Sequence, residues 1–256
     1  MRTKRVDSLQ NPTLKWIRKV CADPRKEGFI VFEGEHLVEE AMKSDFVFKM
    51  LVATPDKFEK WKDTLGDVEA IVISGEMFDT ISINKSPEGV MALGTLDRRT
   101  FKAPSSGSAF LYLDEIQDPV NAGIMVRCAH ALGYEAVISG KGSVDPFNPT
   151  AIARSAGAVF HIPVFRFREE EFLSWAEING VAIIAAAAGG TPVGMISASL
   201  EPPFALVMGN EARGISENIL ARAKAKVSVP MIEGWDSLNV ASAASILMYQ
   251  LKTGSV

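Results

Sequence analysis

Three stretches of this sequence place polar, charged and glycine residues directly after apolar runs, where a bound molecule could reach them. The first is DEIQDPVNAGIMVRCAHALG, residues 114–133. Asn121 can cap a helix there. Gly123 in the first turn costs that helix about 1 kcal/mol relative to alanine, which points to close approach by another group. Arg127 stands among Ile124, Met125, Val126, Cys128, Ala129 and Leu132. A guanidinium so placed can serve a bound group, or it can simply snorkel to water. The second stretch is LVMGNEARGIS, residues 206–216, in which Gly209 and Gly214 bracket Asn210, Glu211 and Arg213. No Gly-Lys-Ser/Thr follows, so it is not a phosphate-cradling P-loop, and its spacing is not that of a dinucleotide-binding turn. A tight strand-to-helix turn would use the same residues. The third is VPMIEGWDSLNVASAASILMYQL, residues 229–251. Asp236 or Ser237 can cap the last helix, Asn239 falls in its first turn, and the small residues 241–245 let another helix come close.

These residues need elements to hold them. The C-terminal part alternates strands expected at 109–114, 135–139, 159–163, 181–187, 204–208 and 226–230 with helices at 121–132, 149–156, 169–179, 217–223 and 237–251. Such alternation of short apolar runs and helices means an α/β fold with a mainly parallel sheet covered on both faces. Ligands of such sheets bind beyond the carboxyl ends of the strands, where all three stretches begin. Residues 1–96 read as a separate α+β unit, with helices at 14–21, 34–43 and 57–65 and strands at 29–33, 50–54, 69–74 and 90–96. Between the two parts, DRRTFKAPSSGS at 97–108 is polar, holds Pro and Gly and lacks an apolar period, so it reads as a linker to a domain over 109–256.

Composition narrows the class. The 256 residues are 47% hydrophobic and 23% charged, ordinary globular values that exclude a disordered or coiled-coil chain. The longest apolar run, 181–188, is far short of a membrane span, and two cysteines, Cys21 and Cys128, fit a reducing compartment, so a cytoplasmic protein is expected. His36, His130 and His161 show no metal-ligand spacing, and no metal is expected. The net charge of −4 conceals an asymmetry: the first 26 residues hold eight Lys/Arg against Asp7 and Asp23. Phosphate contacts act locally, so Arg5, Lys15, Arg18, Lys19, Arg25 and Lys26 are candidate nucleic-acid contacts. The aromatic residues of this part, Trp16, Phe29, Phe32, Phe46, Phe48, Phe58 and Trp61, are expected in its core.

The order and spacing of the motifs carry a resemblance. Asn121-x-Gly123-x-x-x-Arg127, Met208-Gly209-Asn210-Glu211 with Arg213-Gly214-Ile215-Ser216, and Val229-Pro230-Met231 with Ser237-Leu238-Asn239-Val240 resemble the SpoU/TrmH group of SPOUT methyltransferases. Ser155-Ala156-Gly157-Ala158 is also similar, and Gln10-Asn11-Pro12 and Phe32-Glu33-Gly34 with Leu37-Val38 resemble the accessory RNA-binding domain of that group. The resemblance implies a deep trefoil knot in the C-terminal sheet and S-adenosylmethionine as cofactor, held near Ala186, Gly209, Val229, Met231 and Leu238. It implies methylation of a ribose 2′-hydroxyl of RNA, ribosomal RNA first and transfer RNA as the alternative, by a homodimer joined through the catalytic domain. Arg127 would clamp phosphate and stabilise the developing alkoxide. Asn121 would orient Arg127 or the ribose, Glu211 would hold a cationic or hydroxyl partner, and Ser237 and Asn239 would line the nucleotide pocket. A base-nitrogen methylase and a non-catalytic RNA-binding factor are the rival readings; the Asn121/Arg127 pair speaks against the first, and the joint presence of Gly209, Glu211, Ser237 and Asn239 against the second.

Overall fold

The computed structural model describes residues 2–96, 108–196, 200–232, 234 and 237–253, so the linker expected over 97–108 and a cap at Asp236 fall almost wholly outside them. The chain divides into two units, residues 1–97 with 147–160 and residues 98–146 with 161–256.

The first unit is built on β1 (Arg2–Arg5), α1 (Pro12–Ala22), β2 (Ile30–Glu33), α2 (Glu35–Met42), β3 (Phe46–Ala53), α3 (Pro55–Trp61), β4 (Glu69–Val72), α4 (Gly75–Asp79) and β5 (Val90–Leu96). Its sheet runs β1-β4-β3-β5-β2, parallel on the β1 side and antiparallel around β5. Asn11 starts α1 by accepting Thr13 N–H at 2.9 Å, and Leu14, Ile17 and Val20 on one face enter the core. β1 has no apolar alternation, because all four residues are exposed; its pairing with β4 alone makes it a strand. The buried Glu33 carboxylate accepts from the Ser82 hydroxyl (2.8 Å) and from Ile83 and Glu88 N–H (3.0 Å each), which pins the 82–88 loop. Most of the expected core aromatics are found there: Trp16 meets Phe29 edge-on, and Phe32, Phe46 and Phe48 form one cluster.

Residues 147–160 join this unit, although the sequence pattern runs them on with the C-terminal part. They form α6 (the helix Pro149–Arg154) and a 3₁₀ turn at Ala158–Phe160 in place of the strand expected at 159–163. The left-handed Ala156 and Gly157 turn the chain here, and a Cβ at Gly157 would lie 2.7 Å from Glu40 Cβ. Phe160 then packs on Phe32 and Phe46.

The second unit holds β6 (Ala109–Leu113), α5 (Pro119–Ala131), β7 (Ala136–Gly140), β8 (Val164–Phe167), α7 (Glu169–Ile178), β9 (Ala182–Pro192), β10 (Phe204–Met208), α8 (Glu217–Arg222), β11 (Ala225–Ser228) and α9 (Val240–Thr253). The six strands lie in the order β11-β9-β10-β6-β7-β8, and every pairing is parallel. The order reverses between β6 and β10, the kind of switch point at which open α/β sheets form a ligand crevice. After β11, at the sheet edge, the chain returns so that α9 packs on α5, on β10 and on the turn Val193–Met195. Ala241 and Ala244 are buried, so the small residues of α9 do admit another helix, and that helix is α5.

Candidate active site

The site starts at the adjacent carboxyl ends of β6 and β10, where Asp114 N–H donates to Met208 O at 2.8 Å. Asp118, not Asn121, caps α5, accepting Val120 N–H at 2.8 Å. Three residues earlier than expected, that cap leaves Asn121 inside the first turn, with its side chain buried and free for other work. Its Nδ2 donates to Glu211 Oε1 at 2.8 Å, and its Oδ1 accepts from Asn239 Nδ2 at 3.0 Å. Asn239 Oδ1 in turn accepts from Ala241 and Ser242 N–H at 3.0 and 3.2 Å. Asn239 therefore caps α9 from outside its first turn. One series of bonds runs from the N-terminus of α9 through two carboxamides to a carboxylate, and it joins all three stretches singled out in the sequence.

Each bond in this series donates toward Glu211, the arrangement in which successive amides polarise one another and the positive end of a helix faces an anion. Glu211 is exposed, and its Oε2 has no hydrogen-bond partner among the described residues, so it can meet a hydroxyl or a cation. The loop that carries it is closed by reciprocal Asn210–Gly214 backbone bonds of 3.0 and 2.8 Å. Asn210 also accepts Ala212 and Arg213 N–H, and its Nδ2 donates to Glu115 O at 2.9 Å. Asp114, buried, accepts Ser216 N–H at 2.8 Å, and burial pushes its carboxyl above the usual carboxylate range. The sequence pattern gave Asp114 no role, and Asn210 entered only as a member of a motif without a role of its own. An Asn directly after a strand and beside Gly is the mark of an Asx turn, so that signal was present.

Arg127 is not part of the series. It lies six residues beyond Asn121, about 9 Å along the helix, is exposed, and has no hydrogen bond or ion pair among the described residues. The side-chain bonds of Asn121 run to Glu211 and Asn239, and not to Arg127. Ser237 is exposed, two residues ahead of Asn239. Cys128 is half-buried with its Sγ 3.1 Å from Ser245 Oγ, a contact between α5 and α9. His130 and His161, far apart in sequence, stack at 5.6 Å.

The residues expected near a cofactor lie on the same rim. β9 pairs with β10 only as far as Ala185, and its pairing with β11 breaks between Ala185 and Thr191. Residues 186–190 thus have no ladder partner among the described residues, and they begin with Ala186 and end on Gly189-Gly190. Beyond β11, Val229 is half-buried, while Met231, Ile232 and Leu238 are 44%, 79% and 37% exposed. Unladdered backbone beside exposed apolar side chains suits a flat apolar ring with hydrogen-bonding edges, and so fits the adenosyl part of S-adenosylmethionine. Gly209 has a second reason to be glycine: a Cβ there would lie 2.5 Å from Gly214 C and 2.6 Å from Ile215 Cγ1.

In the first unit, Arg5, Lys15, Lys19, Arg25 and Lys26 are exposed. Lys19 pairs with Glu27 at 2.8 Å, and Arg18 is half-buried, donating to Thr80 Oγ1 at 2.7 Å.

An all-parallel six-stranded sheet with a switch point, preceded by an α+β unit, defines the class of α/β proteins that carry an accessory domain. Residues 108–249 match the SpoU rRNA Methylase family and residues 11–92 match the MRM3-like substrate binding domain. The chain belongs to the SpoU rRNA methylase family, and with that family it is an RNA methyltransferase that uses S-adenosylmethionine. It is 31% identical over 252 residues to the 23S rRNA (guanosine(2553)-2′-O)-methyltransferase RlmP of Bacillus subtilis, covering 97% of this chain and 99% of that one. An AdoMet-bound rRNA methyltransferase from Sinorhizobium meliloti shares the fold with a TM-score of 0.89 at 27% identity, covering 99% of both chains. The SpoU methyltransferase AviRb from Streptomyces viridochromogenes, at 20% identity and a TM-score of 0.84 over 95% of this chain and 97% of that one, shares the fold. The family and the fold class expected from the motifs are thereby borne out.

Proposed function

We propose that the chain methylates the ribose 2′-hydroxyl of ribosomal RNA. The observation that carries this reading is the bond series from α9 through Asn239 and Asn121 to Glu211 at the rim of the parallel sheet, in a chain whose full-length Bacillus relative is named for that reaction. When bound, S-adenosylmethionine supplies a methyl group already activated on a sulfonium. The protein's task is therefore to align the acceptor oxygen and help it lose its proton. Arg127 holds substrate phosphate and stabilises the developing alkoxide; a guanidinium rarely gives up its proton, so it serves as a clamp and not as a base. Glu211 offers Oε2 to the ribose hydroxyl or a cation, with Asn121 as its positioning residue, and Ser237 and Asn239 line the nucleotide pocket. Ala186, Gly209, Val229, Met231 and Leu238 hold the donor.

Residues 1–96 act as the RNA-binding domain through Arg5, Lys15, Arg18, Lys19, Arg25 and Lys26, residues 97–108 as linker and 109–256 as catalytic domain. The return of α9 from the sheet edge onto β10 and the turn Val193–Met195 supports a threaded, knotted C-terminus. The unpartnered face of α9, with Ile246 41% and Tyr249 53% exposed, supports a homodimer through the catalytic domain. No described helix is long and apolar enough to cross a membrane, and we place the protein in the cytoplasm with its substrate.

Arg127→Ala tests the assignment. Methyl transfer to ribosomal RNA is expected to fall at least about 100-fold, with thermal midpoint and S-adenosylmethionine affinity unchanged. Full activity in that variant refutes the role.

A further inference from the structure

The first unit contains a groove of about 570 Å³ bounded by the second half of α1 and its following turn, by residues 80–83, and by residues 148–150. Among the residues lining it, Arg18 is the charged one. Its guanidinium donates to Thr80 Oγ1, and that hydroxyl is itself fixed, donating to Met77 O at 2.7 Å. Arg18 Nε is buried without a hydrogen-bond partner, and Arg18 has no carboxylate partner among the described residues. A buried donor left unpaired is costly, and a guanidinium fork matches phosphate oxygens. The wall opposite is rigid, because Ser82 and Ile83 are both held by the buried Glu33. Pro24 and Ile83 add apolar surface, and Asn148, whose Oδ1 accepts Thr150 N–H, keeps its amide NH₂ for another partner. The exposed Lys15, Arg25 and Lys26 lie on α1 and the turn after it, which gives the groove a cationic approach.

A cationic fork, apolar walls and a spare amide suit a ligand that is anionic at one end and flat and edge-polar at the other. In an RNA duplex the bases are stacked away, and only unpaired nucleotides can be splayed into such a groove. We propose that this groove seats one unpaired nucleotide of the RNA substrate, its phosphate on Arg18 and its base against Pro24 and Ile83. This rests on the reading that the chain acts on RNA, and the groove selects for a single-stranded element of that substrate.

The test uses the full chain and a single-stranded uridine decaribonucleotide carrying 4-thiouridine. Photo-cross-links are expected in the peptides holding residues 18–24, 80–83 and 148–150. Arg18→Gln and Thr150→Glu, the latter at an exposed position on the rim, should each weaken binding about tenfold, while Lys62→Gln, at the residue after α3, should not. The salt slope should drop by about 0.7 in Arg18→Gln, the share of one phosphate on a single strand. Thr150→Glu keeps the test valid if Arg18→Gln does not fold. Cross-links elsewhere, with affinity unchanged in the folded variants and ribosomal RNA still methylated, would overturn the groove and leave the methylation reading standing. Absence of both RNA binding and methyl transfer would overturn both.

Discussion

Asn121 shows what a single side chain can do when both of its polar atoms are used. Its donor fixes Glu211, 90 residues on, and its acceptor receives Asn239, 118 residues on, so three segments distant in sequence share one hydrogen-bonded unit. The residue types of this unit were legible in the sequence; the bonds were not, because spacing gives no direction to a carboxamide. Arg127 was legible as an arginine on an apolar helix six residues beyond Asn121; that it stays outside the bonded series was not legible, because spacing does not show which partners Asn121 takes. Asp114, beneath the same loop, gives a pH signature. Burial raises its folded-state carboxyl above the ordinary value of 3.8, with Glu169 and Glu115 adding to the shift and Ser216 N–H opposing it. Between 3.8 and the raised value the native state binds more protons than the unfolded chain, so stability falls as pH rises through that window. Asp114→Asn keeps an acceptor for Ser216 and removes the titration. Urea midpoints measured upward from pH 3.8 should fall for the wild type relative to Asp114→Asn; parallel curves would contradict the burial of a titrating carboxyl.

At the scale of elements, the parallel sheet was legible because each strand is a short apolar run between turn signals. The exceptions have identifiable causes. β1 escapes because charged, exposed residues carry no period, and the strand expected at 159–163 fails because its apolar residues serve the first unit's core through Phe160. Periodicity tells that a residue is buried, not in which core. The unpaired segment 186–190 was hidden too, because its alanines continue the apolar run of β9 without a break. The loop after β10 offers a direct test of packing. Gly209 has no positive φ, so its requirement is space alone: an added Cβ would meet Gly214 backbone at 2.5 Å. Gly209→Ala should destabilise the protein by about 1–3 kcal/mol, read by urea denaturation, and should impair donor binding. An alanine variant of wild-type stability would show that the loop does not pack as described.

For the whole molecule, charge is divided unevenly: residues 1–26 carry a local positive charge while the full sequence is −4. That division was legible from charge alone, whereas a knot or a dimer leaves no mark on composition or period and entered only through resemblance. The α9 face makes the dimer testable. Ile246→Asp with Tyr249→Asp, both on exposed positions, should leave the fold intact and convert a dimer to a monomer by light scattering; a monomeric wild type would remove the interface. The most direct measurement concerns the methylated atom itself. Purified protein is incubated with unmodified ribosomal RNA and methyl-labelled S-adenosylmethionine, and the RNA is hydrolysed with alkali, which cannot cut beside a blocked 2′-oxygen. Label in an alkali-resistant dinucleotide, absent from the Arg127→Ala reaction, is the expected result; label released on a mononucleotide, or no label in RNA, would contradict it.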